Sequence, residues 1–236
     1  GNVAFGGGSN TLGLSGDAAQ SGNVAFGGGN DTVSLAGSSI YAGTMDFGGG
    51  ADVLNLAGTA RFSGAIANSA NLAVNVAGGV LDINKPSSMA SLSVGATGVV
   101  LVTLDKTAGA GSAYTISGNA SFADGAKLAI RLADVSTAVG SYQVLTAGSL
   151  TGRDKLATAS DLVPFMFKAE LDKEAAADTI VVDVSRRTVS ELGLNRSGAA
   201  AYDAVFDMLG TDEKVEDVFL GITNGEDFRA AVGQLL

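Results

Sequence analysis

The sequence predicts an all-β fold, a right-handed, single-stranded parallel β-helix with a short α-helical element at its C-terminal end. Three observations predict it. Phe5, Phe26 and Phe47 fall 21 residues apart, as do Leu12, Val33 and Leu54, and Leu14, Leu35 and Leu56. Within each copy the apolar residues alternate with a period of two, in runs too short and too rich in glycine for helices. After residue 187 the alternation gives way to apolar spacing near 3.6. One such copy cannot bury its own apolar face, but copies stacked in register about 4.8 Å apart can.

Residues 1–82 hold the regular copies, VAFGGGSNTLGLSG from Val3, VAFGGGNDTVSLAG from Val24 and MDFGGGADVLNLAG from Met45. In the second, Val33 and Leu35 are expected to point inward and Thr32 and Ser34 outward. A degraded fourth copy puts Val74 and Val76 20 residues after Leu54 and Leu56, with weaker echoes at Leu92/Val94 and Leu128/Ile130. Residues 83–184 read as irregular coils of the same stack, with strand-like SLSVG, GVVLVTLD, YTISG, AKLAIRLAD and SYQVLTAG. Lys85-Pro86-Ser87-Ser88 is a turn signal, because proline removes a ladder donor. DTIVVDVSR alternates as a last strand ending near Arg186-Arg187.

Residues 185–236 read as three short helices. Ser197 is expected to cap the first, with Ala201, Tyr202, Val205, Phe206 and Leu209 on one side. Thr211 is expected to cap the second, whose face carries Val215, Val218, Phe219 and Ile222. Asn224 and Asp227 form a capping pair for the third, which bears Phe228, Ala231, Val232 and Leu235. Such an element suits a cap over an otherwise open end of the stack.

Composition removes several chemistries. The 236 residues include no cysteine, histidine or tryptophan, and the net charge is −10. Disulfides, thiolate or imidazole metal sites and histidine-based triads are therefore excluded. The negative charge argues against a nucleic-acid partner, whose phosphates need basic side chains. No run of about 18 apolar residues spans a membrane. The chain opens in mid-repeat at Gly1 and reads as a piece of something longer.

The triplet Gly27-Gly28-Gly29 invites a ligand. A phosphate loop would need a following lysine and helix, and a dinucleotide site a following helix, and neither context is present. Calcium is the stronger rival, since GGGNDTV resembles the calcium-binding nonapeptide of RTX β-rolls. That motif recurs every nine residues, whereas here the period is 21. Asn10, Asp31 and Asp52 would form a column along one edge, where two carboxylates about 5 Å apart could share the ion. The simpler reading has Asn and Asp bonding to their own turns while glycine supplies positive φ. That reading is preferred, with no cofactor assigned.

Other candidates fare worse. Asp46 and Asp52 flank one glycine turn, and Asp82, Asp105, Asp124 and Asp134 are scattered, but paired carboxylates for glycoside hydrolysis want an aromatic-lined cleft. Ser87 with Lys85 has no supporting context for a dyad. The phenylalanine column is read as an internal stack rather than an exposed recognition stripe. Arg186-Arg187 is read as a charged junction rather than a processing site.

The order of parts resembles the C-terminal passenger region of Gram-negative type V autotransporters of the AIDA and pertactin kind. The FGGGxDxLxLAG repeats resemble the solenoid coils of that family. GSYQVLTAGSLTG and its surroundings resemble its autochaperone region. TVSELGLNRSGAAAYDAVFDMLG through NGEDFRAAVGQLL is similar to the helical stretch before the translocator. The resemblance implies export across the outer membrane through the protein's own translocator β-barrel, and a bacterial cell-surface or secreted location. It also implies a structural, secretion-assisting stalk, a monomer without catalysis, from a surface adhesin or virulence factor. A host surface or matrix ligand would engage other parts of such a protein. Polysaccharide binding or degradation on a β-helix, or a weak calcium-binding roll-like module, are the alternative functions.

Overall fold

The computed structural model describes residues 1–235. It is a mixed α/β fold dominated by strands, with a C-terminal helical region. The regular copies supply β1 (Val3–Ala4), β2 (Thr11–Leu14), β3 (Ala19–Ser21), β4 (Val24–Ala25), β5 (Thr32–Leu35) and β6 (Ile40–Asp46). They continue through β7 (Val53–Leu56), β8 (Arg61–Ala67) and β9 (Ala73–Ile83). The next strands are β10 (Ser87–Met89), β11 (Ser91–Leu104), β12 (Tyr114–Phe122), β13 (Lys127–Leu132) and β14 (Gly140–Thr151). After a short 3-10 turn at Arg153–Lys155 come β15 (Ala157–Ala159), β16 (Phe167–Leu171) and β17 (Thr179–Arg186).

The sequence period is the pairing register. Val3 lies beside Val24, Thr11 beside Thr32 and Ala19 beside Ile40, all in parallel ladders offset by 21 residues. The same offset joins β5 to β7 and β6 to β8. It falls to 20 between β7 and β9, where Leu54 meets Val74 and Leu56 meets Val76. Because side chains alternate along a strand, an unbroken register keeps every inward residue above another inward residue. Val33, Leu54, Val74 and Leu92 are accordingly buried in one column, and Leu35, Leu56, Val76 and Val94 in its neighbour.

Two expectations about the strands need correcting. Leu128 and Ile130 do not continue the column of Leu92 and Val94; they pair with Val100 and Val102, in the column of Leu81. The column of Leu92 and Val94 passes instead to Ala120 and Phe122. Strands β9 and β11 are long enough to serve two columns each, so apolar spacing alone does not tell which column a later pair joins. The second correction is that parallel coils do not run on to residue 184. Strand β17 is antiparallel to both β14 and β16. The link from Leu171 to Thr179 is too short for the crossover that a parallel neighbour requires, so the chain turns back as a hairpin.

Among the described residues the helical region has four helices rather than three: α1 (Val189–Leu192), α2 (Arg196–Leu209), α3 (Glu213–Leu220) and α4 (Gly225–Gln234). The extra one begins at a capping box in which the Thr188 hydroxyl accepts the Glu191 N–H and Glu191 accepts the Thr188 N–H. Asn195 caps α2 in place of Ser197, its Oδ1 accepting the Gly198 N–H at 2.8 Å. Asp212 caps α3 in place of Thr211, whose hydroxyl instead donates to the Met208 carbonyl. Asn224 caps α4 by accepting the Asp227 N–H. Tyr202, Val205, Leu209, Phe219, Phe228 and Val232 are buried, whereas Val218 and Leu235 are exposed, against expectation.

These helices are fastened to the strands. The Phe165 N–H donates to the Ile222 carbonyl at 2.8 Å. Glu216 Oε1 accepts the N–H groups of Val135 and Ser136 at 2.8 and 2.9 Å. Phe228 sits among Phe165, Tyr202 and Phe219, with ring centroids 5.9 to 6.3 Å apart, a spacing typical of favourable aromatic pairs.

Candidate functional site

The phenylalanines of the three copies stack within the fold. Ring centroids of Phe5 and Phe26 are 4.8 Å apart and those of Phe26 and Phe47 are 5.8 Å apart. Phe26 and Phe47 are buried and Phe5 is partly so, so these three rings form an internal stack. Leu12 and Leu14 are also only partly buried, because no described strand lies beyond them.

Each glycine of the triplet answers to a different constraint. A Cβ on Gly27 would stand 2.5 Å from the Gly6 carbonyl oxygen, so close stacking of backbones forbids any side chain there. Gly29 has φ of 137° and the same close approach to the Gly8 oxygen. Gly28, between them, faces open space and makes an isolated parallel bridge to Gly49. The corner is thus tight against the preceding copy and open to the outside only at its middle residue.

Beyond the corner, Asn10, Asp31 and Asp52 form a column. The Asn10 N–H donates to Asp31 Oδ1 at 2.7 Å, and the Asp31 N–H donates to Asp52 Oδ1 at 2.8 Å. Both carboxylates are buried. The acid side chains therefore bind the backbone of the preceding copy rather than their own turns, which corrects the expectation for Asp31 and Asp52. Asn10 does bind its own turn: its Nδ2 donates to the carbonyls of Gly6 and Gly8, and also to Asp31 Oδ1. Burial pushes the Asp52 carboxyl above its ordinary value; the Asp31 N–H opposes this and the Asp31 charge adds to it.

Oxygen ligands of this kind suit calcium in chemistry but are few. Asp31 Oδ2 is buried with no hydrogen-bond partner among the described residues. No group of three acidic side chains able to hold a metal ion occurs among the described residues. The column is thus a pair of enclosed carboxylates, with the buried Asp31 Oδ2 left without a partner among the described residues.

The remaining candidate acids are engaged in local structure. Asp46 Oδ1 accepts the Gly48 N–H and the Asn68 amide, Asp105 caps Thr107, and Asp134 binds both the N–H and the hydroxyl of Thr137. Asp124 is exposed on a turn. The Ser87 hydroxyl donates to the Lys85 backbone carbonyl. Arg186 lies over the rings of Phe206 and Tyr202, at 3.9 and 4.6 Å, and pairs with Asp203. Arg187 lies over Phe165. Arg186 thus joins the last strand to α2, while Arg187 packs against the loop before β16.

One polar centre escaped the sequence reading. The buried Asp82 carboxylate is clasped by Arg61 and by Arg131, whose Nη2 lies 2.9 Å from Oδ1, with the Ser63 hydroxyl 3.2 Å away. Arg131 also donates to the Thr103 hydroxyl. Arg61 stands 21 residues before Asp82, so the repeat spacing carried half of this signal; Arg131 is 49 residues away and the spacing gives no hint of it. A groove of about 380 Å³ runs beside Arg153, Leu156, Leu171 and Ile180. Its guanidinium is already spent on the carbonyls of Lys173, Ala175, Ala176 and Thr179. Comparison with family models, with curated proteins and with solved structures returned no match.

Proposed function

We propose that this chain is a structural stalk that assists secretion and folding, part of the passenger of a Gram-negative type V autotransporter, and that it performs no catalysis. In this reading the parallel ladders wind as a right-handed, single-stranded β-helix. The observation that carries it is the constant 21-residue parallel register across β1 to β8, followed by a bulkier unit with docked helices. The engagement of nearly every candidate acid in turns and ion pairs supports a scaffold over an enzyme.

The mechanism is sequential. The unit around β14, β16, β17 and the helices folds first and offers open strand edges. Each following coil satisfies those edges and buries a thin apolar layer, so the stack grows one copy at a time. The partner during export is the protein's own translocator β-barrel, and the destination is the bacterial surface or the medium. A host ligand would be met by other regions of the protein. No helix among the described residues is long and apolar enough to cross a membrane.

Deleting residues 83–184 from the full passenger tests the proposal. Surface display and protease resistance of the upstream copies should both fall. Unchanged display with an intact, resistant stack would sink it.

A further inference from the structure

Among the described residues five arginines are partly buried: Arg61, Arg131, Arg153, Arg186 and Arg187. The first four spend their guanidinium groups on carboxylates or carbonyls of the protein. Arg187 does not. Its Nε is buried with no hydrogen-bond partner among the described residues, and the side chain enters none of their ion pairs. The guanidinium carbon lies 5.1 Å from the centroid of the Phe165 ring. A ring face attracts the charge but accepts no directed N–H···O bond. The planar fork is suited to a carboxylate, which it can hold through two parallel N–H groups.

Arg187 lines a cleft of about 310 Å³ whose apolar wall includes Val163, Phe165 and Phe167. That volume is near the lower end for small-molecule sites, about 300 Å³. The remaining polar lining is Thr158, Ser160, Lys168, Glu170 and Thr223. Lys168 is already paired with Glu191 at 2.7 Å. Arg187 and Glu170, of opposite sign, are therefore the charges in the cleft without an ion-pair partner among the described residues. A phosphate dianion would satisfy Arg187 but face the Glu170 carboxylate. A monoanion that carries hydroxyl groups meets both, with its carboxylate on the guanidinium and an O–H donated to Glu170. The hydroxyls of Thr158, Ser160 and Thr223 can each donate and accept, which suits further hydroxyls on such a ligand.

We propose that this cleft is a binding site for a small hydroxylated carboxylate of the sugar-acid class. Arg187 takes the carboxylate, Glu170 and the three hydroxyls select for the polyol part, and Phe165 holds the guanidinium from its ring face. Thr223 lies in the link between α3 and α4, beside Ile222, whose carbonyl accepts the Phe165 N–H. A ligand held by Thr223 and Arg187 would therefore add a second tie between that link and the strands. The inference does not rest on the role in secretion.

The test is calorimetric titration of the full chain with glucuronate, and with glucose, acetate and phosphate as separate arms. Glucuronate should bind saturably and raise the melting temperature, and each of the other three should bind about tenfold or more weakly. Arg187→Gln and Arg187→Lys should each weaken glucuronate binding about tenfold or more, because neither offers the fork. Thr223→Val, an isosteric change at an exposed residue, should weaken it severalfold and serves if the Arg187 variants melt early. No saturable binding of glucuronate at tens of millimolar would overturn the proposal. So would equal binding of acetate or phosphate, which would mean that the cleft reads charge alone, or full binding by Arg187→Gln and Thr223→Val. A failed display experiment with intact glucuronate binding would remove the secretion role and leave this site standing.

Discussion

The Asp31 N–H donates to Asp52 Oδ1 at 2.8 Å, while Oδ2 of the Asp31 carboxylate is buried with no partner among the described residues. One copy earlier the same position is filled by Asn10, whose Nδ2 finds the carbonyls of Gly6 and Gly8. Asp31→Asn should therefore stabilise the protein, because it replaces an orphan acceptor with an amide able to donate to its own turn as Asn10 does. The gain expected is about 1–3 kcal/mol, the penalty of an unsatisfied buried group. Thermal melting with and without millimolar calcium decides between this and the metal reading. A stabilised variant indifferent to calcium supports turn chemistry; a wild type that melts higher in calcium, with the effect lost in Asp31→Asn, reverses it.

Neighbouring glycines should behave in opposite ways. Gly28→Ala points a methyl group into open space and should change stability by no more than about 0.5 kcal/mol. Gly29→Ala combines a φ of 137° with a backbone oxygen 2.5 Å from the new carbon, and should cost more than about 1 kcal/mol. Urea unfolding of the pair checks the contrast. Equal effects would mean that the copies do not stack as closely as described.

Asp82 should reveal its two partners through non-additivity. Either Arg61→Ala or Arg131→Ala leaves one guanidinium on the buried carboxylate, so each alone is tolerated. The double variant strands the charge, and its cost should exceed the sum of the singles by about 0.5–3 kcal/mol. A double-mutant cycle by urea unfolding measures the excess directly.

Acid should act on two carboxyls with opposite signs. The Lys168 ammonium, with the N–H and hydroxyl of Thr188, holds the Glu191 carboxyl down to about 2. A folded-state value below the unfolded one gives stabilisation that is complete above the ordinary carboxylate range and lost as pH falls toward 2. Asp52 is shifted upward by burial, so its contribution is present in acid and lost as pH rises through its folded value. Unfolding measured from pH 2 to 7 should show a shallower acid-side loss in Lys168→Met, and removal of the opposing slope in Asp52→Asn.

Much of the stacked part was legible because its signal is local and repeated. Phe5, Phe26 and Phe47, and the pairs from Leu12/Leu14 to Val74/Val76, give the register outright, including the change from 21 to 20. Legibility failed where one strand serves two columns, as β9 and β11 do, since Leu128 and Ile130 obey the same alternation whichever column they join. The hairpin of β16 and β17 was hidden for a related reason: alternation along a strand is the same in parallel and antiparallel pairing. At the helices, Thr188 and Glu191 form a capping box written in the sequence, while Ser197 stands two residues beyond the residue that caps α2, Asn195. In the carboxylate column, spacing placed Asn10, Asp31 and Asp52 together. It gave no sign that the acids would serve the backbone of the copy before.

The antiparallel clasp of β14, β16 and β17 gives the molecule unequal resistance to tension. Under tension the parallel layers, each bonded to its neighbours by short ladders, should peel away one copy at a time. Each copy of 21 residues released adds about 70 Å of extended chain. The far end, with β17 bonded on both flanks and Arg186 laid against the rings of α2, should yield last. Its extension under load would be a staircase of equal steps that ends in one larger rupture.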